Sequence, residues 1–415
     1  MRPTITLLLL AAAAAWAQDT CVDCHASLEG NLQAPAKAYA DDIHRERGFG
    51  CADCHGGDPT AMDPEESMSP AKGFRGAIRR TEIPNLCARC HSDPDLMHRY
   101  VPQQRVDQLA QYRTSVHGKR LAAGDENVAT CVDCHSVHDI RQVKDPLSPV
   151  HPLRIVVTCA RCHADEKLMA KYNLWATQPE DYKASVHWKA LAERGDLSAP
   201  SCASCHGNHG ATPPQVSSVA AVCGLCHVLQ EQFFDKSPHY EAFTELGLSG
   251  CVVCHGNHRI EHPTDKMLEI EGGTCGKCHE ADSQAGKIAA EIRGMLVRLA
   301  GELERSREIL DEARHAGIEV SEAEIQLAQA RDNLLKARVT VHSFDVAAVG
   351  RDIEEGLQIA AAAYQAGVEA LKERDRRRLG LIFSLVAIAV TIIGLWLAIR
   401  SREQRAAAPA ETARE

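Results

Sequence analysis

The hydrophobic pattern divides the chain into four stretches. A short apolar run from Ile5 to Ala15 follows Met1-Arg2 and leads into Ala15-Trp16-Ala17 just before Gln18. This has the three parts of a secretory signal peptide, residues 1–17, with cleavage expected after Ala17; the run is too short to span a bilayer. Residues 18–282 show no sustained period and are rich in Pro, Gly, Asp and Ser. From about Ser283 to Lys372 the chain turns to Ala, Glu, Arg and Leu, without proline. Here apolar residues recur at Ile288, Ile292, Met295, Leu299, Leu303 and Leu310, then at Ile325, Leu334 and Val341, then at Ile353, Leu357, Tyr364, Val368 and Leu371. That is helical spacing. Gly317 interrupts it, Ser321-Glu-Ala-Glu324 reads as a capping box that restarts it, and Gly350 marks a second turn, so 283–378 is expected to be a helical hairpin or bundle. Leu379 to Ile399 carries no charge between Arg378 and Arg400; at helical rise it is about 30 Å long, enough to cross a membrane as one C-terminal helix. Trp396 suits the interface, and 400–415 would form a short cytoplasmic tail. The pattern predicts a mainly α fold with much irregular structure.

All eighteen cysteines fall in nine Cys-X-X-Cys-His motifs. The cysteine pairs are Cys21 and Cys24, Cys51 and Cys54, Cys87 and Cys90, Cys131 and Cys134, Cys159 and Cys162, Cys202 and Cys205, Cys223 and Cys226, Cys251 and Cys254, and Cys275 and Cys278. The histidines that close them are His25, His55, His91, His135, His163, His206, His227, His255 and His279. Two thiols one helical turn apart can bond to both vinyl groups of a haem and set the following imidazole beneath its iron. A zinc site does not require a histidine after every second cysteine, and a disulfide framework does not repeat one two-residue gap nine times. The expectation is nine covalently attached c-type haems in residues 18–282. Aromatic residues are only 4% of the chain, so porphyrins would supply the missing apolar bulk. The formal charge of −10 argues against nucleic acid as a partner.

The motifs repeat in pairs. Cys87 to His91 is followed by Tyr112-Arg-Thr-Ser-Val-His117, Cys131 to His135 and His138. The next unit runs Cys159 to His163, Tyr182-Lys-Ala-Ser-Val-His187, Cys202 to His206 and His209. A shorter copy runs Cys223 to His227, Ser237-Pro-His239, Cys251 to His255 and His258. Cys21 to His55, with Ile43-His44 between its motifs, is a degenerate first copy. The array is therefore four two-haem modules plus one terminal haem, stacked along a line. Two sets of histidines recur at fixed places and are the candidate distal ligands: His44, His117, His187 and His239 shortly before a second motif, and His138, His209 and His258 three residues after one. A histidine at that +3 position stays on the proximal side of its own haem, so it should ligate a neighbouring iron. His342, in the later helical stretch, is an eighth candidate. The first module has Gly56-Gly57-Asp58 where others carry the +3 histidine, which leaves one haem without a patterned ligand. His98, His151, His262, Met97 and Met169 are the remaining donors by sequence, and an open, five-coordinate haem is the other outcome.

On these motifs, the Ser-X-His elements and the His-X-X-His pairs, residues 21–279 resemble the multihaem c-type cytochromes with doubled CXXCH motifs. The resemblance implies periplasmic electron transfer through bis-histidine haems, commonly between the quinone pool and a downstream acceptor. The expected partners are a membrane quinol-oxidising or cytochrome b-type subunit and other periplasmic cytochromes or reductases. The location is the periplasmic face of the cytoplasmic membrane. More positive charge precedes the apolar span than follows it, against that orientation, but long domains behind a signal peptide translocate largely regardless of flanking charge. The competing expectation is an oxidoreductase reducing a small nitrogen or sulfur oxyanion at one open-coordinate haem. Related reductases often carry CXXCK, and all nine motifs here end in histidine.

Overall fold

The computed structural model describes residues 19–213 and 216–406; the signal-peptide assignment and the end of the tail, 407–415, lie outside them. Among the described residues every regular element is helical. The chain forms two compact units. One runs up to Cys223 and takes in Ser249–His262; the other comprises Gly224–Leu248 and the described residues from Pro263 onward.

The first unit is a chain of short helices joined by turns. Three of its motif helices are brief because they are punctuated at both ends. Helices Cys51–His55, Cys131–His135 and Cys202–His206 begin in extended backbone at Gly50, Thr130 and Ser201, and each ends at a residue with positive φ: Gly56, Ser136 and Gly207. At the start, the side chain two residues after the first cysteine reaches back to the cap. Asp53 accepts from the Gly50 N–H at 2.7 Å, Asp133 from the Thr130 N–H at 2.6 Å, and Ser204 from the Ser201 N–H at 3.0 Å. One orphan donor at each N-terminus is thereby satisfied. The apolar core of this unit is thin, with Leu121, Val128, Ile155, Val156, Met169 and Leu191 among its few buried large side chains.

The second unit is dominated by three long helices: α1, Gln284–His315; α2, Ser321–Thr340; and α3, Val346–Ala406. Their shared core is made by Ile292, Leu296, Leu299, Leu303 and Leu310 of α1, a stripe of Ala323, Leu327, Ala330, Leu334 and Ala337 on α2, and Val349, Ile353, Leu357, Ala360 and Ala363 on α3. Small residues bring the helices close. A Cβ added at Gly356 would lie 2.7 Å from Leu299 Cδ2, and one at Gly367 2.7 Å from Ile309 Cγ2. Ser306, fully buried, donates across to the Ala360 carbonyl at 2.9 Å, and buried Asp352 takes the Thr340 hydroxyl at 2.7 Å and the Lys336 ammonium at 2.8 Å. Leu268, near the last motif, joins this core, and Arg338 grips Asp265 at 2.8 Å.

Three local expectations are corrected. The α1–α2 turn does use Gly317 in the left-handed region, φ 77°, but Ser321 is already inside α2; its N–H is held by Glu319 at 2.9 Å, and Glu324 turns to Arg314. The second turn falls at Phe344, φ 53°, and Asp345, whose carboxylate accepts from the Ala347 and Ala348 N–H groups and starts α3; Gly350 lies within that helix. Ile325 is exposed, because the buried face of α2 is made largely of alanine, which a search for large apolar residues passes over. Beyond Leu371 the side chains of α3 leave the core, and Leu379 to Ile399 is exposed along its whole length. α3 has a segment of mean hydropathy 2.7, none of it buried, and is long and apolar enough to cross a membrane.

Candidate haem-binding sites

The expected spacing of one helical turn between thiols holds in most motifs and fails in two. Cys24, Cys54, Cys90, Cys134, Cys162, Cys205 and Cys254 each follow their first cysteine within one α-helix. Cys226 and Cys278 do not. Cys223 and Cys275 lie in 3-10 turns, Val219–Leu225 and Cys275–Lys277, that end before the second cysteine is reached. A glycine follows the first cysteine in both, Gly224 and Gly276, and glycine is a poor helix former. It also admits a close neighbour: a Cβ at Gly276 would lie 1.6 Å from the Ile270 carbonyl oxygen, and one at Gly224 2.0 Å from Glu231 Cδ. These two pairs are therefore correct in sequence but not in local helical form.

Of the second cysteines, Cys24, Cys54, Cys226 and Cys278 are exposed, and Cys90, Cys134, Cys162, Cys205 and Cys254 are half-buried. Among the described residues no two cysteines form a disulfide, and no three Cys, His, Asp or Glu side chains converge to hold a bare metal ion. The tethering role of Cys90, Cys162, Cys205, Cys226, Cys254 and Cys278 thus rests on their motifs and on their access to a group packed outside the helix.

Within a module the first cysteines of the two motifs face one another: Cys87 contacts Cys131, and Cys159 contacts Cys202. In the first module Asp19 stands between them, accepting from the Cys21 N–H at 3.1 Å and the Cys51 N–H at 3.0 Å. Burial first, then Asp19, raises the Cys21 thiol to about 11 and the Cys51 thiol to about 12. Modules are joined by the arginine of the Cys-Ala-Arg-Cys-His motifs. Arg89 donates to the Asp53 carbonyl at 2.9 Å, and Arg161 makes the same bond to the Asp133 carbonyl, each reaching the second motif of the preceding module.

Inter-motif histidines sit at the second position of a short helix with a polar residue before it. Ser115 accepts from the Gly118 N–H at 3.0 Å, and Ser185, before His187, from the Trp188 N–H at 3.1 Å; both serines are buried. In the degenerate first copy Asp42 takes that place, accepting from the His44 N–H at 2.8 Å and His44 Nδ1 at 2.9 Å. Burial works to raise the Asp42 carboxyl, but the bonds from the His44 ring, the Ile140 N–H and the His44 N–H prevail and hold it below its ordinary range. The serine-or-aspartate cap fixes the backbone angle at which the imidazole leaves the helix.

A tyrosine five residues before the histidine anchors the same element. Tyr112 donates to the Ala129 carbonyl at 2.7 Å and Tyr182 to the Pro200 carbonyl at 2.8 Å, each two residues before the second motif. Tyr39 makes the equivalent bond to the Phe49 carbonyl. Burial pushes the Tyr39 and Tyr112 phenols up to about 12, so they stay protonated donors. Sequence reading missed Tyr39, although its five-residue distance from His44 matches the later copies. In the fourth copy Phe234 occupies this place.

The histidines come together in pairs. Ring centroids are 6.0 Å apart for His44 and His91, 6.2 Å for His117 and His163, and 5.9 Å for His239 and His279. In this set an inter-motif histidine faces the first motif that follows its own module. The +3 set runs the other way: His138 faces His55 at 6.2 Å, His209 faces His135 at 6.1 Å, and His258 faces His206 at 5.9 Å. Each faces the second motif of the preceding module. Two metal–nitrogen bonds of about 2 Å, plus half the width of each ring, put two trans imidazoles roughly 6 Å apart, so all six pairs fit an iron between them. The +3 pairs are nearly parallel, at 18°, 9° and 12°, whereas the inter-motif pairs cross at 84°, 60° and 75°.

Burial lowers the His91, His117, His138, His163, His206, His209, His239, His258 and His342 imidazoles, and brings His135 down to about 4. They are held neutral, the form that ligates metal. The rings are also oriented from behind. His25 Nδ1 bonds the Leu32 carbonyl at 2.9 Å, His55 Nδ1 the Arg75 carbonyl at 3.0 Å, and His342 Nδ1 the Val339 carbonyl at 2.9 Å, which leaves Nε2 for a metal in each case. His342 lies in the tight turn Val341–Ser343 after α2, near His227. From the same connection Phe344 packs on His239, centroids 4.1 Å apart. His255 closes the helix Gly250–His255. Three of the remaining sequence candidates are engaged elsewhere: His98 with the Gln104 carbonyl, His151 as a buried acceptor of the Leu153 N–H, and Met169 in the core.

A family model for cytochrome c3 matches residues 43–164, the stretch that holds the facing histidines His44, His117 and His138. With the motifs and the paired imidazoles, this makes the chain a multihaem c-type cytochrome. No curated protein and no solved structure matches it.

Proposed function

We propose that this protein is a nonahaem electron carrier, exported and held at the periplasmic face of the cytoplasmic membrane by residues 379–399. It would pass electrons between a quinol-linked membrane subunit and a downstream periplasmic acceptor. Haem supplies the one-electron couple when bound; the chain supplies everything else. Eighteen cysteines tether it, nine motif histidines take the proximal face, and His44, His117, His138, His187, His209, His239, His258 and His342 are assigned to distal faces. An imidazole on each side of the metal would favour a site that exchanges electrons without exchanging ligands.

The observation that carries this reading is the uniform 5.9–6.2 Å spacing of six histidine pairs, each bridging one motif to a histidine of an adjacent module. Such cross-bracing would hold the motifs of adjacent modules together. The membrane assignment is supported by the exposed apolar end of α3. A single span offers little room for a quinone pocket, which is the argument for a separate quinol-oxidising partner. Intact mass spectrometry of the matured chain tests the core of the proposal: nine haem adducts are expected, and clearly fewer would refute it.

A further inference from the structure

The pairing has a direction. A first motif receives its facing histidine from the inter-motif element of the module before it: His91 from His44 and His163 from His117, and likewise His279 from His239. Cys21 to His25 is also a first motif. His25 is well held, its Nδ1 bonded to Leu32 and its helix capped by Asp19, yet among the described residues no histidine ring faces it. Its own module's His44 is committed to His91, and the +3 donor His138 to His55.

We propose that the haem held by Cys21, Cys24 and His25 is the open-coordinate haem of this chain and a binding site for a small uncharged diatomic ligand such as carbon monoxide or nitric oxide. The inference rests on the bis-histidine reading of the other motifs. The charge around the site selects the ligand. Asp19 lies at the start of the helix and Asp23 within the motif, in a chain of formal charge −10, so a neutral ligand is favoured over an oxyanion.

The test uses the full mature chain, reduced and titrated with carbon monoxide, together with electron paramagnetic resonance of the oxidised protein. One carbon monoxide per chain and one high-spin haem, converted to low spin by added imidazole, are expected. The double variant C21A/C24A should lose one haem by mass and all carbon monoxide binding. A wholly low-spin wild type that binds no carbon monoxide overturns the proposal, whether or not the double variant can be recovered. So does binding that persists in the double variant. His44→Ala separates this proposal from its foundation: it should raise the stoichiometry from one to two, and if it does not, the bis-histidine reading of His91 is at fault whatever the first haem does.

Discussion

Histidine positions stand out at the residue scale because chemistry constrains them to fixed offsets from the cysteines. Their supports stand out less. Tyr39, Arg89 and Arg161 act on backbone carbonyls, and a carbonyl leaves no mark in sequence; only the repeat of their spacing betrays them. Tyr112→Phe removes one half-buried hydrogen bond and should cost about 1 kcal/mol, read from a denaturant midpoint, with little change in the visible spectrum if the phenol only positions the His117 helix. Asp19 has a larger reach, since its two oxygens cap two motif helices. Asp19→Ala should lower haem occupancy at the first two motifs selectively, measured by peptide mass spectrometry; equal loss across all motifs would argue against a local capping role.

Two kinds of element carry the paired rings, and they set the rings at different angles. The +3 histidines leave a tight turn and meet their partners nearly parallel; the inter-motif histidines leave a short helix and meet theirs steeply. Ligand-plane angle governs the anisotropy of low-spin ferric haem, so the oxidised protein should show two classes of low-spin resonance, an ordinary rhombic set and a more anisotropic one. His138→Ala should deplete the first class and His117→Ala the second. In the bundle, Leu299 is fully buried between α1 and α3, and Leu299→Ala should destabilise that unit by about 3 kcal/mol, followed by far-ultraviolet circular dichroism. The three helices were legible in the sequence from their period, and Gly317 marked one turn. The other turn was not: Phe344 adopts a left-handed conformation that no residue type advertises, while Gly350, the residue that suggested a turn, is helical. Alanine hid the inner face of α2 for the same reason that it packs closely, having almost no side chain. Motif spacing likewise concealed the 3-10 turns that stop short of Cys226 and Cys278, since a two-residue gap reads the same in either kind of helix.

For the whole molecule the apolar end of α3 makes the clearest claim. Deleting residues 379–415 should move the protein from the membrane to the soluble fraction with its haem content unchanged; persistent membrane association would point to a partner rather than this helix as the anchor. Repetition of modules was visible from cysteine and histidine spacing alone. The direction of sharing was not, because sequence offsets say that a +3 histidine must leave its own haem but not which neighbour it joins.

That sharing bears on how the protein is made. His55 faces His138, 83 positions later, and His91 faces His44, 47 positions earlier. With haem iron ligated by these pairs as proposed, a centre at a second motif such as His55 would stay incomplete until the later segment that supplies its partner had been made. Maturation would then have to keep other ligands from the open iron, and a chain terminated before His138 would leave the His55 site one ligand short.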